Sequence, residues 1–105
     1  MSLISGLVKQ KIDYIYSITR DAYGDKTLTL EYQSIPCRWQ EKIQQVIDKD
    51  GEEKKSSVEV WIYPKYSSIQ HDWQITKDSE DYFVVSIEKK YDLGGNLDHI
   101  KLFLV

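Results

Sequence analysis

The sequence predicts an all-β fold: a small antiparallel β-barrel or sandwich of six or seven short strands, with one hairpin loop projecting from it. Three observations predict it. Apolar residues recur with a period of two in segment after segment, the spacing that puts alternate side chains on one face of a strand. Turn residues (Gly, Asp, Pro, Ser) separate these segments at intervals of about ten residues. No stretch carries the 3.6-residue period over the length a stable helix needs.

The elements follow in order. Lys9 to Thr19 alternates, with Ile12, Tyr14, Tyr16 and Ile18 on one face and Lys11, Asp13, Ile15 and Ser17 on the other. Asp21 to Asp25 is turn chemistry. Lys26 to Gln33 alternates again, with Leu28, Leu30 and Tyr32 directed inward and Thr27, Thr29 and Glu31 outward, so the two strands form a hairpin. Pro36 has no N–H to give a ladder and marks a strand edge, a bulge or a strand start. Cys37 to Gln40 resumes as a strand. Glu41 to Val46 fits either an extended strand or a single helical turn, because Ile43, Val46 and Ile47 sit at i, i+3 and i+4.

Asp48 to Lys55 has no apolar side chain. Asp50-Gly51 signals a two-residue type I′ turn, which sets Lys49 opposite Glu52 and Asp48 opposite Glu53. With nothing to pack on, this hairpin is expected to project into solvent and to be mobile in the isolated protein. An ordinary surface tip is the plain alternative to a functional loop. Ser56 to Tyr63 is the strongest strand in the middle of the chain. Val58, Val60 and Ile62 line one face; Trp61 and Tyr63 load the other. A strand apolar on both faces needs two covers, which makes Trp61 and Tyr63 candidate interface residues.

Pro64 ends that strand. Tyr66 to Asp72 is a loop, Trp73 to Thr76 a short strand, and Lys77 to Asp81 a polar turn. Tyr82 to Lys90 is a strand, and Gly94-Gly95 supplies the positive φ angles its connecting loop requires. From His99 the chain alternates, Ile100, Leu102 and Leu104 against Lys101, Phe103 and Val105. The chain is expected to end within a core strand, paired antiparallel to Tyr82–Lys89.

At 105 residues the chain suits one domain, with residues 1–8 as an N-terminal arm. That arm is apolar but lacks a basic lead-in and is too short for a signal peptide. No run approaches the ~20 apolar residues of a membrane span. Cys37 is the only cysteine, so there is no internal disulfide, which fits a reducing compartment. The net charge is −3 with both signs interspersed, so no basic stripe is visible for gripping phosphates. The chain has 8 Tyr and 3 Trp against 2 Phe. Such amphipathic aromatics suit interfaces, and they equally suit half-buried strand positions.

Catalysis is not expected. His71 and His99 each adjoin an aspartate, but neighbours in a regular strand point to opposite faces, so neither pair is a ready dyad. No nucleophile signature surrounds Cys37, and Cys37, His71 and His99 lack the close spacing of zinc ligands. Gly94-Gly95 has neither the Walker nor the dinucleotide pattern and leads to a strand. His99 is read as structural, bonding loop carbonyls or Asp92.

The run Tyr91-Asp92-Leu93-Gly94-Gly95-Asn96-Leu97-Asp98-His99, set between a strand and a terminal strand, resembles the C-terminal end of the head–tail connector proteins of tailed bacteriophages. These are the stopper or head-completion proteins. The upstream order agrees: a first hairpin with a Gly-Asp turn, a hairpin with Asp-Gly, a valine-rich strand, then a short strand. Before that short strand the family has Gly-Asp where this chain has His71-Asp72.

The resemblance implies a β-barrel subunit of a virion ring, commonly of twelve copies, assembled in the bacterial host cytoplasm. Implied partners are further copies, a portal or adaptor protein, a tail protein, and packaged double-stranded DNA touched without sequence specificity. No cofactor, metal or membrane is implied. Tyr91, Asp92, Gly94, Gly95, Asp98 and His99 become structural motif residues. The segment matching the family's channel loop is Gln44 to Ser57. Its tip carries Asp48, Lys49, Asp50, Gly51, Glu52, Glu53, Lys54 and Lys55, four acids against three lysines, a net −1. A slightly acidic tip would block a DNA channel without adhering to it. Two other readings stand beside this one: a tail-completion or tail-terminator ring protein, and a monomeric β-barrel binding module.

Overall fold

In the computed structural model, which describes residues 10–105, the chain forms six strands and one 3₁₀ turn. They are β1 (Gln10–Arg20), β2 (Lys26–Ile47), β3 (Glu53–Ile62), the turn Pro64–Tyr66, β4 (Gln74–Lys77), β5 (Glu80–Tyr91) and β6 (Leu97–Leu104). All pairings are antiparallel, and the sheet closes as a barrel in the order β1-β2-β3-β6-β5-β4. Closure removes the sheet edges that an open all-β protein must protect. The N-terminal arm lies outside the described residues.

The core is aliphatic. Ile12, Ile15, Ile35, Cys37, Val60, Ile62, Ile75, Val84, Leu102 and Leu104 are fully buried. Each such side chain contributes about 1.5–3 kcal/mol on leaving water. The last strand sits between β3 and β5, as its two-sided pattern implies, with Val58 and Val84 both opposite Leu104. Tyr66 and Ile69, from the connection after β3, complete the core. Tyr32 packs edge-on against Tyr66 at 4.9 Å. Ser56 is polar and fully buried, and its hydroxyl lies 3.0 Å from the carbonyl oxygens of both Val58 and Leu104, sharing its hydrogen between them.

β2 runs unbroken for 22 residues, so Glu41–Val46 is strand and Pro36 lies inside it, opposite Lys11. Its first half pairs with β1 and its second with β3. The faces of the first hairpin differ from the simple alternation. Ile12 and Ile15 are both fully buried, whereas Tyr14, Leu28 and Leu30 are about two-fifths exposed. There are two causes: Ser34, at φ 52° between the partners of Ile12 and Tyr14, marks a break in the alternation between Ile12 and Ile15, and the register shifts between Ile15 and Tyr16, where Glu31 is an extra residue on β2. One extra residue moves every later side chain to the opposite face. Leu28 and Leu30 therefore do not point inward.

Three hairpin turns share one construction. Asp21, Asp48 and Asp92 each open a loop of three residues, and each carboxylate Oδ1 accepts the backbone N–H groups two and four residues on, at 2.8–3.0 Å. The third loop residue is Gly24, Gly51 or Gly95, at φ 81–84°. This is a type I turn closed by a left-handed residue. Gly51 thus ends a three-residue loop, not a type I′ pair. Ile47 faces Glu53, and the cross-strand pair Lys49–Glu52 does not form. Likewise only Gly95 of Gly94-Gly95 has positive φ. The backbone bonds from Glu52 and Asp50, and the charge of Lys54, hold the Asp48 carboxyl below the usual range.

The β4–β5 turn lacks a glycine: Asp78 and Ser79 both have positive φ, at 53° and 67°. L-residues there cost about 1–2 kcal/mol each. Ser79→Gly should therefore raise unfolding free energy by about 0.5–1 kcal/mol, since the gain is partly offset by unfolded-state entropy. Urea denaturation checks it. In the same assay Leu102→Ala, in the central strand, should cost about 2–5 kcal/mol, and deletion of residues 102–105 should abolish soluble expression.

Candidate functional site

Trp61 and the motif residues of the chain end meet on the outer wall of the barrel. Trp61 on β3 pairs in register with Arg38 on β2 and Lys101 on β6. Its indole stacks on the His99 ring at 4.5 Å between centroids and 16° between planes. The Arg38 guanidinium lies 4.7 Å and the Lys101 ammonium 4.9 Å from the indole centroid. Cations this close to an indole face are attracted by its quadrupole. Trp61 Nε1 donates to Glu59 Oε2 at 3.1 Å. Trp61 is therefore half-buried within its own barrel wall.

Asp98 and His99 form a hydrogen-bonded pair, contrary to strand alternation. Asp98 Oδ2 and His99 Nδ1 are 2.7 Å apart, and both side chains are more than nine-tenths buried. A β-bulge is the cause. Lys90 pairs with His99 and Tyr91 with Leu97, so Asp98 is an extra residue on β6. His99 does not bond Asp92, whose carboxylate is occupied by its own turn. His99 Nε2 is buried without a hydrogen-bond partner.

An open groove of about 530 Å³ runs beside this pair, lined by Trp61, Tyr91, Leu93, Asp98, His99 and Lys101. Leu93 stands at the turn tip, fully exposed, and Tyr91 is 61% exposed. A largely apolar surface with Lys90 and Lys101 beside it suits recognition of another protein. Burial pushes the Cys37 thiol up to about 12, and no group of three or more potential metal ligands occurs among the described residues.

Tyr63 lies elsewhere: it is half-buried and packs against the core. The hairpin Asp48–Lys55 is exposed along its length except at Asp48. Its tip is nonetheless tied down, because Lys49 ion-pairs with Asp72 in the connection before β4. That bond, with the charges of Asp72, Asp50 and Asp48, raises the Lys49 ammonium above its ordinary value. Asp72 itself adopts φ 70°, so the left-handed position at this turn falls on Asp72, not on His71. Arg38, Glu59 and Lys101 were not legible as site residues. The one available signal was that Glu59 and Trp61, two apart on a strand, share a face.

No family model matches the chain, and no curated protein or solved structure matches it.

Two measurements probe the site. Burial alone would raise the Glu59 pKa, but the bonds from Trp61 and Gln44 and the charges of Lys101 and Lys42 outweigh it and hold the carboxyl below the usual value of 4.5. The stability Glu59 contributes is therefore complete above pH 4.5 and is lost as pH falls through the lower folded pKa. Glu59→Gln should flatten that acid limb in a melting-temperature series from pH 6 to 3. Cys37 should resist a thiol reagent at pH 8 in the native state and react on unfolding.

Proposed function

We propose that this protein is a structural ring subunit of a tailed-phage particle, joining the portal side of the head to the tail and closing the DNA channel after packaging. The observation that carries the reading is the β2–β3 hairpin. Gln44–Ile47 and Glu53–Ser56 pair only with each other, beyond the barrel ladder that begins at Glu41 and Val58. The hairpin carries a polar, net acidic tip on a two-stranded stem. Such an arm can obstruct a channel sterically while giving DNA little to adhere to. The closed barrel behind it supplies a stiff body, and the groove at Trp61, Tyr91 and Leu93 supplies an amphipathic surface for a neighbour.

A ring needs heterologous contacts, in which one surface of a copy meets a different surface of the next. The Trp61 groove and the exposed apolar face of the β1–β2 hairpin are two such surfaces. The proposed partners are further copies, a portal or adaptor protein and a tail protein. A tail-terminator ring would use the same parts at a different place in the particle.

Shortening the hairpin to its turn should leave the barrel folded and the ring attached, while packaged heads leak DNA before tails join. Electron microscopy and nuclease protection of the particles measure this. Normal DNA retention removes the channel-closing role, and tails of abnormal length indicate a terminator. Trp61→Glu should impair particle assembly more than it lowers melting temperature; outright unfolding instead would make Trp61 a wall residue only.

A further inference from the structure

The even charge distribution along the chain conceals a local concentration that folding creates. Arg20 ends β1 and Lys26 begins β2, and the two are direct cross-strand partners. Like charges placed opposite one another destabilise a ladder. Among the described residues neither has a carboxylate within ion-pair distance. Arg20 donates to the Gly24 carbonyl at 3.4 Å, and the Lys26 ammonium lies 5.3 Å from the centre of the Phe83 ring.

These cations do not stand on an isolated hairpin tip. The tip of the β2–β3 hairpin and the connection before β4 converge on the same place. Together the three segments enclose a groove of about 430 Å³ whose polar lining includes Arg20, Lys26, Lys49, His71 and Asp72. Trp73 and Phe83 add aromatic surface. Asp72 is the only acid lining the groove, and Lys49 already neutralises it. The groove thus offers two cations without a carboxylate partner, an imidazole and two half-buried aromatic rings. Two adjacent cations without a carboxylate partner suit the closely spaced phosphates of a nucleic-acid backbone better than the sparser charge of an acidic peptide.

We propose that this groove binds the phosphate backbone of nucleic acid through Arg20 and Lys26 at the end of the β1–β2 hairpin, while Lys49 stays paired with Asp72 and the acidic β2–β3 tip makes no phosphate contact. The choice of nucleic acid rests in part on the head–tail reading, in which DNA passes the hairpin.

The test is fluorescence anisotropy of a labelled 20-base-pair duplex against the full chain, titrated at several salt concentrations. Wild type should bind at low salt with a linear dependence of log affinity on log salt. The Arg20→Gln/Lys26→Gln variant should flatten that slope by about 1.8, or 0.9 for each phosphate no longer neutralised. Asp72→Asn frees Lys49 and should tighten binding and steepen the slope by about 0.9. Circular dichroism melts confirm that both variants remain folded. Absence of binding at 20 mM salt, or an unchanged slope in both variants, overturns the proposal. Tighter binding of a polyglutamate of equal charge also overturns it and assigns the groove to an acidic protein segment. Failure here leaves the head–tail reading intact, because that reading is tested in particles by hairpin length and not by duplex affinity.

Discussion

The architecture depends on one constraint: β2 is longer than the barrel is deep. Its 22 residues pair with β1 through the first half and with β3 through the second. A strand shared in this way must coil around the barrel, and its ends must run past the wall into hairpins. The barrel proper then needs only short partners, and β4 closes the ring of strands with four residues against Tyr14–Tyr16. The arms built from the two ends of β2 return to neighbouring places, where Lys49 meets Asp72 in the connection before β4 and Lys26 meets Phe83 on β5. The exposed Leu28, Ile43 and Ile47 lie on these overhanging portions of β2, and Leu30, opposite Tyr16, lies on the outer face of the wall. In the proposed ring those portions are what a neighbouring copy or the channel would meet.

Bulges convert this regular sheet into sites. At β6 the extra residue Asp98 brings a carboxylate beside His99 and fixes the imidazole against Trp61. Without it, Asp98 and His99 would point to opposite faces and the stack would lose its anchor. At β1 and β2 the shift after Ile15 transfers the apolar side chains of the first hairpin from the core side to the outside. In both cases one residue of register decides whether a side chain is interior or available to a partner.

Much of the fold was legible because strands and turns are local. The alternation of Ile100, Leu102 and Leu104 placed the last strand in the core, where β3 and β5 flank it. The three Asp-x-x-Gly loops were legible as turns, but their register was not, because Asp-Gly also suits a two-residue turn. The bonds that the Asp48 carboxylate accepts from the Asp50 and Glu52 N–H groups, and the register of Ile47 against Glu53, distinguish the two. The site was less legible. Arg38, Trp61 and Lys101 lie on three different strands, and their juxtaposition follows from ladder register, which period-two patterning does not encode. Strict alternation also argued against an Asp98–His99 pair, since a bulge leaves no mark in composition. The basic groove has the same origin: Arg20, Lys26, Lys49 and His71 become neighbours only when β2 coils.

The central claim is that a stiff barrel presents the β2–β3 hairpin to a DNA channel at the junction of head and tail. A cryo-electron-microscopy reconstruction of the complete particle that contains this chain tests it most directly. The account predicts a ring of copies between portal and tail, with residues 44–56 directed toward the axis and the Trp61, Tyr91 and Leu93 surface turned to a neighbour. A chain located at the far end of the tail tube, or a ring whose hairpins point away from the channel, would contradict it.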